Sequence, residues 1–243
     1  MTLDEAKTAA REGNLQLLKR FHEEGLKLTS VMLCEAAIGG HLDCIKYLRE
    51  IGVRWHEWNV MYASANGHLE CLKYIHENGC PWDMVTCCLT SHNGHFECLK
   101  YAREHGCPWN RETSDYAADG GHLDCLKYAI ENGCVWDILT CGNATREGSI
   151  DCFRYLCEEW RKKKDLQTFW NAPFNLTNII PKIDLDDGWW RQTLFRVNLV
   201  QHPELKNLVN GKKQEIESTK QAVKKHLGCL SSDVVTHCIL EYI

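Results

Sequence analysis

Apolar and polar positions along most of this chain follow helical spacing. In residues 67–83, GHLECLKYIHENGCPWD, the residues Leu69, Leu72 and the pair Tyr74–Ile75 form an apolar stripe, and that spacing predicts a helix over 69–78 buried along one side. Gly79 is positioned to stop it, and Pro81 in the following Cys80-Pro81-Trp82-Asp83 forbids continuation. A shorter helix is predicted over 59–65, carrying small residues toward its end and stopping at Gly67. One such pair of helices cannot bury its own apolar face, so neighbouring pairs must stack.

The pair recurs. Gly13, Gly40, Gly67, Gly94, Gly121 and Gly148 are each 27 residues apart. The same step carries His41, His68, His95 and His122, and it carries Cys44, Cys71, Cys98, Cys125 and Cys152. It also carries Tyr47, Tyr74, Tyr101, Tyr128 and Tyr155, and Trp55, Trp82, Trp109 and Trp136. So many ladders in one period predict a tandem array of about six units over residues 1–160. Both ends of the array read as caps, with Asp4, Glu5, Lys7, Arg11 and Glu12 at one and Glu158-Glu159-Trp160-Arg161-Lys162-Lys163-Lys164 at the other, since terminal repeats need a polar outer face.

The stretch 67–83, with its Gly-His, Glu, aliphatic pair, Lys and terminal Gly, resembles the second helix and loop of an ankyrin repeat. Ala36-Ala37, Ala63-Ser64 and Ala117-Ala118 resemble the small pair that closes the ankyrin first helix. The resemblance implies an all-α, ankyrin-like helical solenoid followed by a C-terminal helical extension over 161–243. Ankyrin units run to about 33 residues, so the units here are six shorter, where the family has its β-hairpin finger, and the family's Thr-Pro-Leu-His is absent. Shortened arrays with this Cys-Pro-Trp-Asp turn resemble ankyrin-like proteins of large DNA viruses and protists. The four Trp of the ladder are expected to stack on one another and fill the space the missing hairpin would cover.

Information about function lies where the copies disagree. The variable positions are Ile38-Gly39, Ala65-Asn66, His92-Asn93, Asp119-Gly120 and Arg146-Glu147, and, earlier in the first helix, Glu35, Tyr62, Leu89, Tyr116 and Asn143. In ankyrin proteins the matching positions lie on the concave face that grips partners. Tyr62, Ala65, Asn66, Leu89, His92, Asn93, Tyr116, Asp119 and Arg146 are therefore the expected partner contacts, since aromatic anchors among polar neighbours suit a binding surface. Drift at unconstrained surface sites is the competing explanation of the same variation.

Charge and composition narrow the chemistry. Residues 1–160 hold 15 Lys+Arg against 24 Asp+Glu, a net −9, whereas 161–243 hold 13 against 9, a net +4. An acidic array is a poor ligand for phosphate backbones, so no nucleic acid is expected. The chain has 15 cysteines, an odd number, and MTLDEAKTAAREG has no apolar signal core. Together these predict a reducing, cytoplasmic compartment (the host cytoplasm for a viral chain), with Cys as a small buried hydrophobe; a monomer is expected. No apolar run reaches the roughly 18 residues of a membrane span. His41/Cys44, His68/Cys71, His95/Cys98 and His122/Cys125 sit three apart on a helix face that zinc could use, but four identical half-sites along a solenoid do not make one tetrahedral shell. No metal or cofactor is expected. Periodic thiols are likewise unlike a single activated nucleophile, and phosphate-loop, dinucleotide and Gly-x-Ser-x-Gly motifs are absent, so no catalytic residues are assigned.

The period vanishes after Lys164. Residues 165–203 are too aromatic for a linker, with Phe169-Trp170 and Trp189-Trp190, and residues 204–227 predict a polar, Lys-rich helix. The segment LSSDVVTHCILEYI (230–243) resembles the opening helix of an F-box. That resemblance implies a substrate-recruiting adaptor of a cullin-type ubiquitin ligase, with Val234, Val235, Ile239, Leu240 and Ile243 contacting the ligase. A helix that merely closes a core explains the same pattern.

Overall fold

The computed structural model describes residues 2–162, 179–184, 187, 190 and 203–226. The chain divides into two compact units, Met1–Cys152 and Phe153–Ile243, and every helix or strand element among the described residues is helical.

The first unit is built from helix pairs at the 27-residue period. The first helices are α1 (Leu3–Arg11), α3 (Ser30–Gly39), α5 (Glu57–Ala65), α7 (Met84–His92), α9 (Arg111–Asp119) and α11 (Ile138–Arg146). The second helices are α2 (Leu15–Glu23), α4 (Leu42–Glu50), α6 (Leu69–Glu77), α8 (Phe96–Glu104) and α10 (Leu123–Glu131), followed by α12 (Ile150–Lys162). Each first helix packs on the first helix of the next repeat, and α2, α4, α6, α8 and α10 pack in the same order. The result is a two-layered helical repeat solenoid.

Local chemistry sets the length of each helix. The last residue of the turn is the N-cap of the following first helix: Asp83 accepts from the backbone N–H of Val85 at 3.1 Å, Asn110 from Glu112 at 3.0 Å and Asp137 from Leu139 at 2.8 Å. His56 fills the same position in its repeat, and this cap starts α5 two residues before the predicted 59. An N-cap acceptor contributes roughly 1 kcal/mol by satisfying an orphan amide. Small residues close the first helices and let the layer pack tightly. Ala36, Ala37, Ala63, Ser64, Ala117 and Ala118 are all fully buried. The second helices bury at least one large aliphatic residue per repeat: Leu18, Ile45, Leu72, Leu99 and Leu126 are each 0% exposed, as are Leu48 and Ile75.

Of the second unit, the described parts are α12 from Phe153 onward, a 3-10 turn at Ile180–Lys182 and the long helix α13 (Pro203–His226). Trp190 is buried and its ring stacks on Phe153, with centroids 6.3 Å apart. Arg154 Nη1 pairs with Asp187 Oδ2 at 2.9 Å. The Lys-rich helix predicted over 204–227 is α13, with proline at its first position, where the missing N–H costs nothing. Phe169, Trp170 and Trp189 lie outside the described residues, as do Val234, Val235, Ile239, Leu240 and Ile243 of the F-box-like segment.

Candidate functional site

Most of the periodic polar side chains are consumed by the architecture. Each ladder histidine lies against the glycine of the preceding repeat. Gly40 has φ +76°, and a Cβ there would fall 2.4 Å from His68 Nδ1. On its other edge His68 Nε2 donates to the Ile38 carbonyl at 2.9 Å, so the ring braces one repeat to the next. The cysteines three residues on are buried, and burial pushes the Cys71 thiol up to about 11 and Cys125 up to about 12. Such thiols are neutral and inert at ordinary pH. A second cysteine column closes each repeat on itself: Cys80 Sγ donates to the His56 carbonyl at 3.3 Å, Cys107 to Asp83 at 3.2 Å and Cys134 to Asn110 at 2.8 Å. Among the described residues no three His, Cys, Asp or Glu side chains converge as a metal site.

The tryptophan ladder works differently from the stack expected of it. Trp55, Trp82 and Trp109 each meet a tyrosine of the next second helix edge-on, namely Tyr74 at 6.4 Å, Tyr101 at 6.3 Å and Tyr128 at 6.0 Å. Neighbouring helices in a layer stand about 9 Å apart, whereas ring pairs contact at about 4.5–7 Å, so equivalent rings cannot reach one another. The faces are covered instead by Arg49 on Trp55 and Arg103 on Trp109, both at 4.4 Å, and by His76 stacked on Trp82 at 3.8 Å.

What remains is the outward side of the first helices. Positions i, i+3, i+4 and i+7 share a helix face, and on α5 these are Trp58, Met61, Tyr62 and Ala65. The matching residues are Val31, Cys34, Glu35 and Ile38 on α3, Val85, Cys88, Leu89 and His92 on α7, and Glu112, Asp115, Tyr116 and Asp119 on α9. Trp58 is 52% exposed, Val31 40%, Val85 41% and Tyr116 40%. Apart from Glu35, which pairs with Arg11 at 2.7 Å, the face is thus mostly apolar over α3, α5 and α7; it turns charged at α9, and on α11 it is mixed, with Leu139 56% exposed beside Asn143 and Arg146.

Between α9 and α11 the face opens into a cleft of about 350 Å³ lined by Arg111, Glu112, Asp115, Tyr116, Asp119, Asn143 and Arg146. Arg111 pairs with Asp115 at 3.2 Å and with Asp137 at 2.9 Å, while Arg146 pairs with Asp119 and lies 3.5 Å from Glu147. Thr140 donates to Asp115 at 2.5 Å. Burial raises the Asp115 carboxyl above its ordinary value, opposed by the Thr140 hydroxyl and the Arg111 guanidinium. Tyr116 stands edge-on to His92 at 5.7 Å, and His92 Nδ1 is 3.7 Å from Asp119.

Of the residues singled out by their variation, Tyr116, Asp119 and Arg146 line this cleft and His92 borders it. Tyr62 and Leu89 are half-buried on the apolar stretch. Ala65 is only 6% exposed, and its carbonyl accepts from Asn93 Nδ2 at 2.6 Å. Asn66 folds its amide back onto the Tyr62 carbonyl at 2.9 Å. Trp58, Val31, Val85 and Glu112 escaped the sequence reading. The signal was present, because Trp58 stands outside the tryptophan ladder and one helical turn before Tyr62.

A family model described as ankyrin repeats (3 copies) matches residues 7–86 and again 60–140. Among solved structures, the human ASB11 ankyrin repeat domain is similar, with a TM-score of 0.53 at 20% identity, covering 63% of this chain and 82% of that one. No curated protein matches the chain.

Proposed function

The chain belongs to the ankyrin repeat family, and we propose that it is a scaffold whose partner protein seats on the outward face of the first helices. Ankyrin repeats are protein–protein interaction modules and generally non-catalytic. The observation that carries the finer reading is the coincidence of variation with exposure. Apolar, small and aromatic columns that repeat faithfully are buried or braced, and the repeated charges of the second helices form a solvated row, whereas the columns that diverge hold the exposed Trp58 and Tyr116 and the α9–α11 cleft. Large aromatic residues beside charged groups are the usual composition of energetically important contacts. Tyr62, Leu89, His92, Tyr116, Asp119 and Arg146 are the proposed contacts, with Asn66 and Asn93 at the edge. In this reading the scaffold acts as a single chain in a reducing compartment, its cysteines serving as small buried hydrophobes.

A photo-crosslinking amino acid placed at Tyr116 or Leu89 tests this, against the same replacement at the exposed Lys46 or Lys100 of the second helices. Partner crosslinks are expected from the first two positions. Crosslinks confined to Lys46 and Lys100 would overturn the reading. The F-box-like segment 230–243 supports a second reading, a ligase adaptor whose array holds the substrate. Capture with the full chain and with a truncation at residue 229 separates the two, because cullin-adaptor subunits must disappear with the truncation.

A further inference from the structure

The exposed face of the first helices changes character at α9, and this change specifies the chemistry of what the α3–α9 stretch holds. Trp58, Val31 and Val85 occupy one column on three successive first helices, and each is at least 40% exposed. Two first helices beyond Trp58 the same column holds Glu112, one turn from the 40% exposed Tyr116, before Leu139 returns an exposed apolar residue on α11. Charge decides what that end accepts. Asp115, Asp119, Asp137, Glu112 and Glu147 set five carboxylates against the guanidiniums of Arg111 and Arg146, a net −3. Both guanidiniums are already engaged, Arg111 by Asp115 and Asp137 and Arg146 by Asp119 and Glu147. Glu112 is exposed, and no ion pair involves it among the described residues. A carboxylate beside an aromatic face is a receptor for an ammonium or guanidinium group.

Building on the binding face proposed above, we propose that the occupant is one segment of a partner protein. Its large apolar side chains rest on Val31, Trp58 and Val85, and a lysine or arginine at its other end packs on Tyr116 and reaches Glu112. At about 9 Å per helix step, Glu112 stands about 18 Å from Trp58 and about 27 Å from Val31. An extended segment covers those distances in about six and about eight residues.

The test is selection of random phage-displayed peptides on the purified full chain, followed by binding of the enriched peptides to Trp58→Asp and Glu112→Lys. Both positions are exposed, and circular dichroism confirms that each variant keeps its helices. Expected are sequences with two or more large apolar residues and a Lys or Arg about six to eight positions from the farthest of them. Each substitution should weaken them about tenfold or more, and exchanging the peptide's basic residue for Glu should restore binding to Glu112→Lys. Peptides that depend on Trp58 but are acidic, or are indifferent to Glu112→Lys, would overturn the basic-ended segment and leave the binding face standing. Peptides indifferent to both variants and to Tyr116→Ala would overturn the face as well. Failure to enrich any sequence would sink the single-segment occupant and leave a folded partner.

Discussion

The two helical layers of the array were built by the same period but are not equally constrained. In the second-helix layer the same side chain returns at each step, and its task is visible each time: a buried leucine or isoleucine, a buried cysteine, a tyrosine edge for the neighbouring tryptophan. On the outward side of the first-helix layer the step returns a position but a different residue: Glu35, Tyr62, Leu89, Tyr116, Asn143. For apolar, small and aromatic side chains, repetition in sequence marks the columns where neighbours dictate the residue; the repeated charges Asp43, Glu70, Glu97 and Asp124 stay exposed. Divergence marks the columns where solvent or a partner dictates it.

The sharpest way to break that contrast is to truncate one faithful column. Leu72 is 0% exposed between the layers, so Leu72→Ala should destabilise the array by about 3–4 kcal/mol, read from urea unfolding. Gly67→Ala comes next. Gly67 has φ +77° and an added Cβ would lie 2.5 Å from His95 Nδ1, whereas Gly79 has φ +81° with nothing within 4 Å. Both alanines carry the left-handed cost of about 1–2 kcal/mol, and only Gly67→Ala must also displace the bracing histidine. The expected total is about 3 kcal/mol at Gly67 against about 1 kcal/mol at Gly79. Equal losses would mean that the His ladder contributes nothing to repeat coupling. Trp109→Ala removes one tyrosine edge and one arginine stack from a half-buried ring. It should cost about 2 kcal/mol, less than a core truncation.

The period, the helix stops and the C-terminal Lys-rich helix could all be read from residue spacing, because glycine, proline and apolar periodicity act locally. The tryptophan geometry could not. Equivalence in sequence says that Trp82 and Trp109 stand in equivalent places, but the distance between those places is set by helix packing, and it exceeds ring contact. The site was half visible for a related reason. Tyr116, Asp119 and Arg146 were found because they vary, yet their meeting in one cleft depends on α9 and α11 being neighbours in one layer. Trp58 and Glu112 vary just as freely, but Trp58 lies three residues after the repeated tryptophan at position 55, and spacing alone does not separate a half-buried ladder ring from an exposed one.

A smaller effect distinguishes the layers by pH. Burial lowers His76, helped by His105, and burial also lowers His95, helped by His122 and His68. Folded, these rings take up protons less readily than in the unfolded chain, where the ordinary value is 6.5. The unfolded state therefore binds more protons, and stability falls as the pH drops below about 6.5 and is intact above it. Urea midpoints at about pH 7.5 and about pH 5.5 should show this loss, and His95→Gln should reduce it. Midpoints that rise on acidification would show that other groups dominate.

The smallest expected change in stability is the most informative about function. Tyr116 is 40% exposed, and among the described residues its ring contact is the edge-on pair with His92. Removing a ring so placed costs about 0.5 kcal/mol or less, so Tyr116→Ala should unfold within error of the parent chain. The same change removes the aromatic wall of the α9–α11 cleft, and a contact of that kind at the centre of an interface is commonly worth 2 kcal/mol or more in binding. Measured together, the two numbers separate the causes of divergence. Unchanged stability with lost partner binding means that the column is free to vary because a partner shapes it. Unchanged stability with unchanged binding means that the column merely drifts. A large loss of stability would place Tyr116 among the structural columns, and the contrast between the two layers would fail at this position.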